Sequence, residues 1–198
     1  MNIFYVLYIE DDFVAPYLDL IKIICNPKTA SRVHLTVRGP YKCIPDKKRN
    51  WRSFKASHIS IAKVGSFISN NQNTIYLNCS FPGMNEVWRK PDFPDGVGHL
   101  TLYDGKSKDF AEKLFSLLSK YSWEFDVKTG ELEPLIVNKI APSFFLYLET
   151  VGEIYERIFS SGMSLEKLKS MNDDKRLEAI KRICEFLHRE KINNHAMH

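Results

Sequence analysis

The tripeptide His-Leu-Thr occurs twice in this 198-residue chain, as His34-Leu35-Thr36 and as His99-Leu100-Thr101, each inside a run that alternates polar and aliphatic residues. Alternation with period two marks a strand with one buried face. The same half-buried strand written once in each half suggests pseudo-twofold symmetry between two like units. On such strands His34, Thr36 and Arg38 share one face while Leu35 and Val37 take the other. His99, Thr101 and Tyr103 share a face in the same way.

The patterns around the two copies extend the parallel. Asn2 to Ile9 reads as a strand, and Phe13 to Cys25 as a helix carrying Val14, Tyr17, Leu18, Ile21 and Ile24 at helical spacing. Val33 to Val37 follows as a strand ended by Gly39-Pro40. Ser57 to Phe67 and Thr74 to Cys79 read as a hairpin across Ser69-Asn70-Asn71. After the polar, proline-rich stretch from Phe81 comes the strand Gly98 to Tyr103. A helix presenting Phe110, Leu114, Leu117 and Tyr121 follows it, so strand then helix occurs twice. Trp123 to Lys128 and Leu132 to Val137 read as strands joined across Thr129-Gly130.

Beyond Pro142 the chain is helical in pattern. Ser143 to Phe159 is one helix, a second starts from an N-cap at Ser164, and Asp173 or Asp174 caps a last one whose stripe is Leu177, Ile180, Ile183, Cys184 and Leu187. The expected architecture is therefore α/β, with two similar lobes in residues 1–140 and a helical C-terminal extension in 141–198 packed on them.

Composition removes several classes. A hydrophobic share of 44% is enough for a globular core. No apolar run is long enough to span a bilayer. Glu10, Asp11 and Asp12 follow the first apolar segment too closely for a secretory signal, which makes the cytoplasm the expected location. Cys25, Cys43, Cys79 and Cys184 are scattered and read as reduced thiols, with neither a metal site nor a disulfide framework in their spacing. His188, His195 and His198 have no recognised metal-binding spacing either and read as surface residues, so no metal or other cofactor is expected. Charge is uneven: Arg38, Lys42, Lys47, Lys48, Arg49, Arg52 and Lys55 stand against the single acid Asp46, which suits an anionic partner or a solvated loop.

Two imidazoles and two hydroxyls converging on one spot is the set that phosphodiester cleavage needs. One group takes the proton of the attacking hydroxyl or water and another protonates the leaving oxygen, and histidine does both near neutral pH. Threonine hydroxyls donate to the non-bridging oxygens where charge develops, and Arg38 can add a charge-assisted contact. The plain alternative for each motif is a strand histidine followed by a β-branched strand former.

With both motifs, His34-Leu35-Thr36-Val37 and His99-Leu100-Thr101-Leu102, the sequence resembles the 2H phosphoesterase superfamily over about residues 1–137. That superfamily, which includes 2′-5′ RNA ligase-like proteins and cyclic phosphodiesterases, is defined by two His-x-Thr/Ser motifs. The resemblance implies a bilobal fold with pseudo-twofold symmetry. It also implies metal-independent action on 2′,3′-cyclic phosphates, 2′-5′ linkages or related nucleotide esters, with His34, Thr36, His99 and Thr101 catalytic and a nucleotide or RNA as partner. The alternative function is a nucleotide- or RNA-binding module that uses the same cleft without catalysis.

Other residues have lesser claims. Arg38, Tyr41 and Tyr103 are candidates for substrate contact, and Trp51, Trp88 and Phe93 lie in expected loops where an aromatic can stack on a base or pack in the core. His58-Ile59-Ser60 imitates the motif but falls in the same half as His34 and departs from the shared tripeptide.

Overall fold

The alternating runs become strands and the 3.6-residue patterns helices, with boundaries moved by one to four residues. The computed structural model describes residues 2–29, 31–42, 58–84, 97–136 and 142–196, of which 142–146 and 193–196 are described as helical backbone alone. Among these residues the strands are β1 (Ile3–Ile9), β2 (His34–Tyr41), β3 (His58–Ile68), β4 (Asn73–Ser80), β5 (His99–Gly105) and β6 (Phe125–Ile136). The helices are α1 (Val14–Cys25), α2 (Lys108–Leu118), α3 (Pro142–Phe159), α4 (Leu165–Ser170) and α5 (Asp173–Ala196). The chain is thus mixed α/β.

All six strands join one closed antiparallel barrel in the order β1-β2-β5-β4-β3-β6. The motif-bearing strands β2 and β5 are neighbours. Closure depends on β6, which the sequence reading divides at Thr129-Gly130. No turn forms there, because the first part of β6 pairs with β3 (Ile59 opposite Val127) and the second with β1 (Leu7 opposite Leu132), so one long strand serves two partners. Gly130 sits where the register with β1 shifts, and a Cβ at that position would meet the Glu10 carboxylate.

The expected end of β2 at Gly39-Pro40 also fails to appear, since pairing continues to Tyr41 opposite Ile3. Gly39 allows this with a φ of +117°, and a Cβ there would lie 2.7 Å from the Ile3 carbonyl oxygen.

Leu35, Val37, Leu100 and Leu102, at most 1% exposed, join Leu18, Ile21 and Leu114 in a continuous core between the barrel and its helices. Every residue of α1 is buried, which a helix on a sheet achieves only if something covers its back. Helices α3 and α5 do so. The stripe Ile180, Ile183, Cys184 and Leu187 is fully buried in the same core, and the Tyr17 hydroxyl donates to Glu190 while accepting from Arg157 at 2.7 Å.

Two caps differ in outcome. Ser164 caps α4, as its spacing predicts, whereas α5 is capped by Asn172, whose side chain accepts from the Lys175 N–H at 2.9 Å, rather than by Asp173 or Asp174. No helix among the described residues is long and apolar enough to cross a membrane. Cys25, Cys79 and Cys184 are buried thiols, and Cys43 lies outside the described residues.

Candidate active site

Strands β2 and β5 run antiparallel with Leu35 opposite Leu100. One step along that register in either direction sets His34 across from Thr101 and Thr36 across from His99. The leucines face the helical core, so the four polar side chains share the opposite face, where each is half-buried. The flanking strands extend this face. Tyr8 and Val6 on β1 lie beside His34 and Thr36, and Tyr76 and Asn78 on β4 lie beside Thr101 and His99. Two rows cross the seam: Tyr8, His34, Thr101, Tyr76 and Val6, Thr36, His99, Asn78.

Both imidazoles are held alike. Nδ1 of His34 lies 2.8 Å from the Arg32 carbonyl oxygen, and Nδ1 of His99 lies 2.7 Å from that of Val97, in each case two residues back along the chain. A carbonyl only accepts, so each Nδ1 carries the hydrogen and Nε2 is left for the site. His34 is held neutral, its pKa lowered to about 3 by burial, then by the nearby Lys22 ammonium and His99, with the Arg32 carbonyl opposing. The neutral ring with Nδ1–H has its lone pair on Nε2, the form a proton acceptor requires.

The surroundings of the two rings differ. Behind His34 is a buried polar cluster that the sequence reading missed. Asp19 accepts from the Val33 N–H and faces Arg32 Nε at 3.7 Å, while the Arg32 guanidinium stacks 3.8 Å from the centre of the Tyr147 ring and donates to the Ile9 carbonyl. Burial pushes the Asp19 carboxyl up to about 6 against the pull of the Val33 N–H, Arg32 and Lys22. Beside His99 are aromatics instead. The Tyr76 ring is 5.0 Å away, and Phe67, 49% exposed, stacks on Tyr76 at 4.6 Å and meets His99 edge-on at 5.8 Å.

A cavity of about 280 Å³ opens at the seam, lined by His34 and Thr101 together with Lys22, Asn26, Thr29, Ser31, Leu102 and Asp104. Among the described residues no three His, Cys, Asp or Glu side chains gather as a metal site.

The remaining candidates are placed elsewhere. Alternation predicts Arg38 and Tyr103 on the histidine face, but each follows a bulge. Thr36 pairs with Val6 and Arg38 with Tyr5, and Thr101 pairs with Tyr76 and Tyr103 with Ile75, so one residue of each motif strand is skipped and the next is turned. Both side chains are buried. Tyr103 packs at 5.0 Å on Phe110 of α2, and its hydroxyl accepts from the Ser107 N–H at 3.2 Å. Tyr41 ends β2, half-buried with its ring edge-on to Tyr5 at 6.2 Å.

His58 stands exposed opposite Lys128, with two strands between β3 and β2, and joins neither motif. His188, expected at the surface, is half-buried and bound at both ring nitrogens, to the Cys184 and Ser122 carbonyls at 2.7 Å each, which pins α5 to the chain ahead of β6. The side chains of His195 and His198, and Lys47, Lys48, Arg49, Trp51, Arg52, Lys55, Trp88 and Phe93, lie outside the described residues.

Lys22 and Asp19 carry a sequence signal in retrospect. Charged residues three apart within an almost wholly apolar helix are not at home in a core unless they are paired for a purpose. No protein-family model matches the sequence, and no curated protein matches it.

Proposed function

We propose that the chain is a metal-independent phosphodiesterase of the 2H phosphoesterase kind, acting on a nucleotide or oligonucleotide ester. The observation that carries the reading is the paired geometry of the histidines. Each is fixed at Nδ1 by the carbonyl two residues back, and each stands across the seam from the other motif's threonine. The arrangement of strands supports the bilobal, pseudo-twofold part of the reading. Exchanging β2 with β5, β1 with β4 and β6 with β3 leaves the barrel's neighbour relations unchanged, and the bulge after Thr36 recurs after Thr101.

In the reaction, Nε2 of His34 takes the proton of the attacking hydroxyl or water as its oxygen bonds to phosphorus. His99 gives a proton to the leaving oxygen as the opposite P–O bond breaks. His34 takes the acceptor role because its environment favours the neutral ring. Thr36 and Thr101 donate to the non-bridging oxygens. The reading is tested by incubating the purified chain with 2′,3′-cyclic mononucleotides, 2′-5′ and 3′-5′ oligonucleotides and cyclic oligonucleotides, and analysing products by mass spectrometry. Cleavage of at least one class is expected, and intact substrates throughout would refute it.

Phe67, exposed near the end of β3, stacks on Tyr76 beside His99, and the pair forms a shelf for a nucleobase. Phe67→Ala is expected to raise KM on the order of tenfold with kcat little changed, as loss of one base-stacking partner costs about 1–3 kcal/mol. An unchanged KM for every nucleotide substrate would remove the shelf.

A further inference from the structure

Lys22 is an expensive residue for its position. It lies on α1 with only 9% of its surface exposed, and burial pushes its pKa down to about 8 against the pull of Asp19 and Asp104, which still leaves it mostly protonated at pH 7. Its ammonium donates to Ser31 Oγ at 3.2 Å and to the carbonyl oxygen of Arg32 at 2.9 Å. That same carbonyl accepts the Nδ1–H of His34 at 2.8 Å. Both lone pairs of the Arg32 oxygen are therefore engaged, one by the lysine and one by the imidazole. At the other motif, among the described residues, no ammonium donates to the Val97 carbonyl that holds His99.

We propose that Lys22 is a positioning residue for His34: by gripping the Arg32 carbonyl and placing a positive charge behind the ring, it fixes the Nδ1–H tautomer and makes His34, rather than His99, the proton acceptor. The step from two like motifs to one base and one acid needs an asymmetry, and Lys22 supplies it. A cation beside an imidazole disfavours a second positive charge there, while the shared carbonyl prevents the ring from turning its lone pair away from the site.

The two acids that pull on Lys22 are each engaged by other donors as well. Asp19, on α1 itself, is turned to Arg32 at 3.7 Å and to the Val33 N–H. Asp104, on β5, is exposed and accepts from Gln72 at 2.7 Å and Thr74 at 3.0 Å. Arg32 is directed over the Tyr147 and Tyr8 rings, and His99 adds to the effect on His34 in the same direction as Lys22.

The inference rests on the catalytic reading of the histidine pair, but its primary test does not. The His34 ring is titrated by NMR in the full chain as wild type, Lys22→Met and Lys22→Arg. The midpoint is expected to rise by at least about one pH unit in Lys22→Met and to stay near the wild-type value in Lys22→Arg, the scale of an ion at hydrogen-bonding separation across one carbonyl. In turnover, the acid limb of the kcat/KM profile should move to higher pH by the same amount in Lys22→Met, with the loss growing as pH falls toward the His34 midpoint.

A folded Lys22→Met protein whose His34 titrates as in wild type overturns the proposal. If that variant does not fold, Lys22→Gln carries the same comparison, since it removes the charge and keeps a donor. A shifted His34 midpoint in a chain that cleaves nothing supports the Lys22–His34 coupling and counts against the phosphodiesterase reading alone.

Discussion

His34→Ala and His99→Ala each lower turnover by at least about 10²-fold while the circular-dichroism spectrum stays that of the folded chain, the expected scale for a lost proton-transfer group. Both side chains lie half-buried on the face away from the helical core, so truncation removes little packing. His58→Ala, exposed on β3, should leave the rate nearly unchanged.

The shape of the pH profile follows from the depressed pKa of His34. Its folded value lies far below that of a free imidazole, so the base stays deprotonated as pH falls through 6.5, and activity is lost only on approach to the lower value. The sequence alone suggests a bell centred near neutrality. The structure moves its acid side down, and a steep loss of kcat/KM between pH 7 and 6 would contradict the assignment of His34 as base.

Thr36→Val and Thr101→Val test the second half of the chemistry. Valine keeps the branched shape and strand propensity and deletes only the hydroxyl. Each threonine stands opposite the other motif's histidine, and the proposed reaction has its hydroxyl donate to a non-bridging phosphate oxygen. Loss of one such donor is expected to lower kcat on the order of 10²-fold with KM less affected. Rates equal to wild type in both variants, measured on the best substrate, would take the threonines out of the mechanism.

The four motif residues were legible because period-two alternation is local: Leu35 and Leu100 mark the buried face, and His34, Thr36, His99 and Thr101 must then lie on the other. The same rule misplaces Arg38 and Tyr103. A bulge breaks alternation without altering composition, and nothing in Thr-Val-Arg or Thr-Leu-Tyr announces one. The single long β6 was hidden for a related reason. Gly130 reads as a turn from sequence, and only pairing with β3 on one part of the strand and β1 on the other keeps it extended.

The cluster around Lys22 lay deeper still. Its partners Ser31, Arg32 and His34 come from a segment separated from α1 by a turn, and the bonds that join them are tertiary. Phe67 and Tyr76 read as strand residues from the sequence, which they are, and their approach to His99 depends on β4 pairing with β5.

Cleavage of a phosphodiester by the histidine pair, acting without a metal ion, is the proposed reaction. It is tested most directly by turnover of the best substrate in excess EDTA, comparing wild type with a folded His34→Ala/His99→Ala double variant. EDTA is expected to leave the wild-type rate unchanged, and the double variant to fall to the level of either single variant or below. Abolition by EDTA with rescue by a divalent ion, or full activity in the folded double variant, would contradict it.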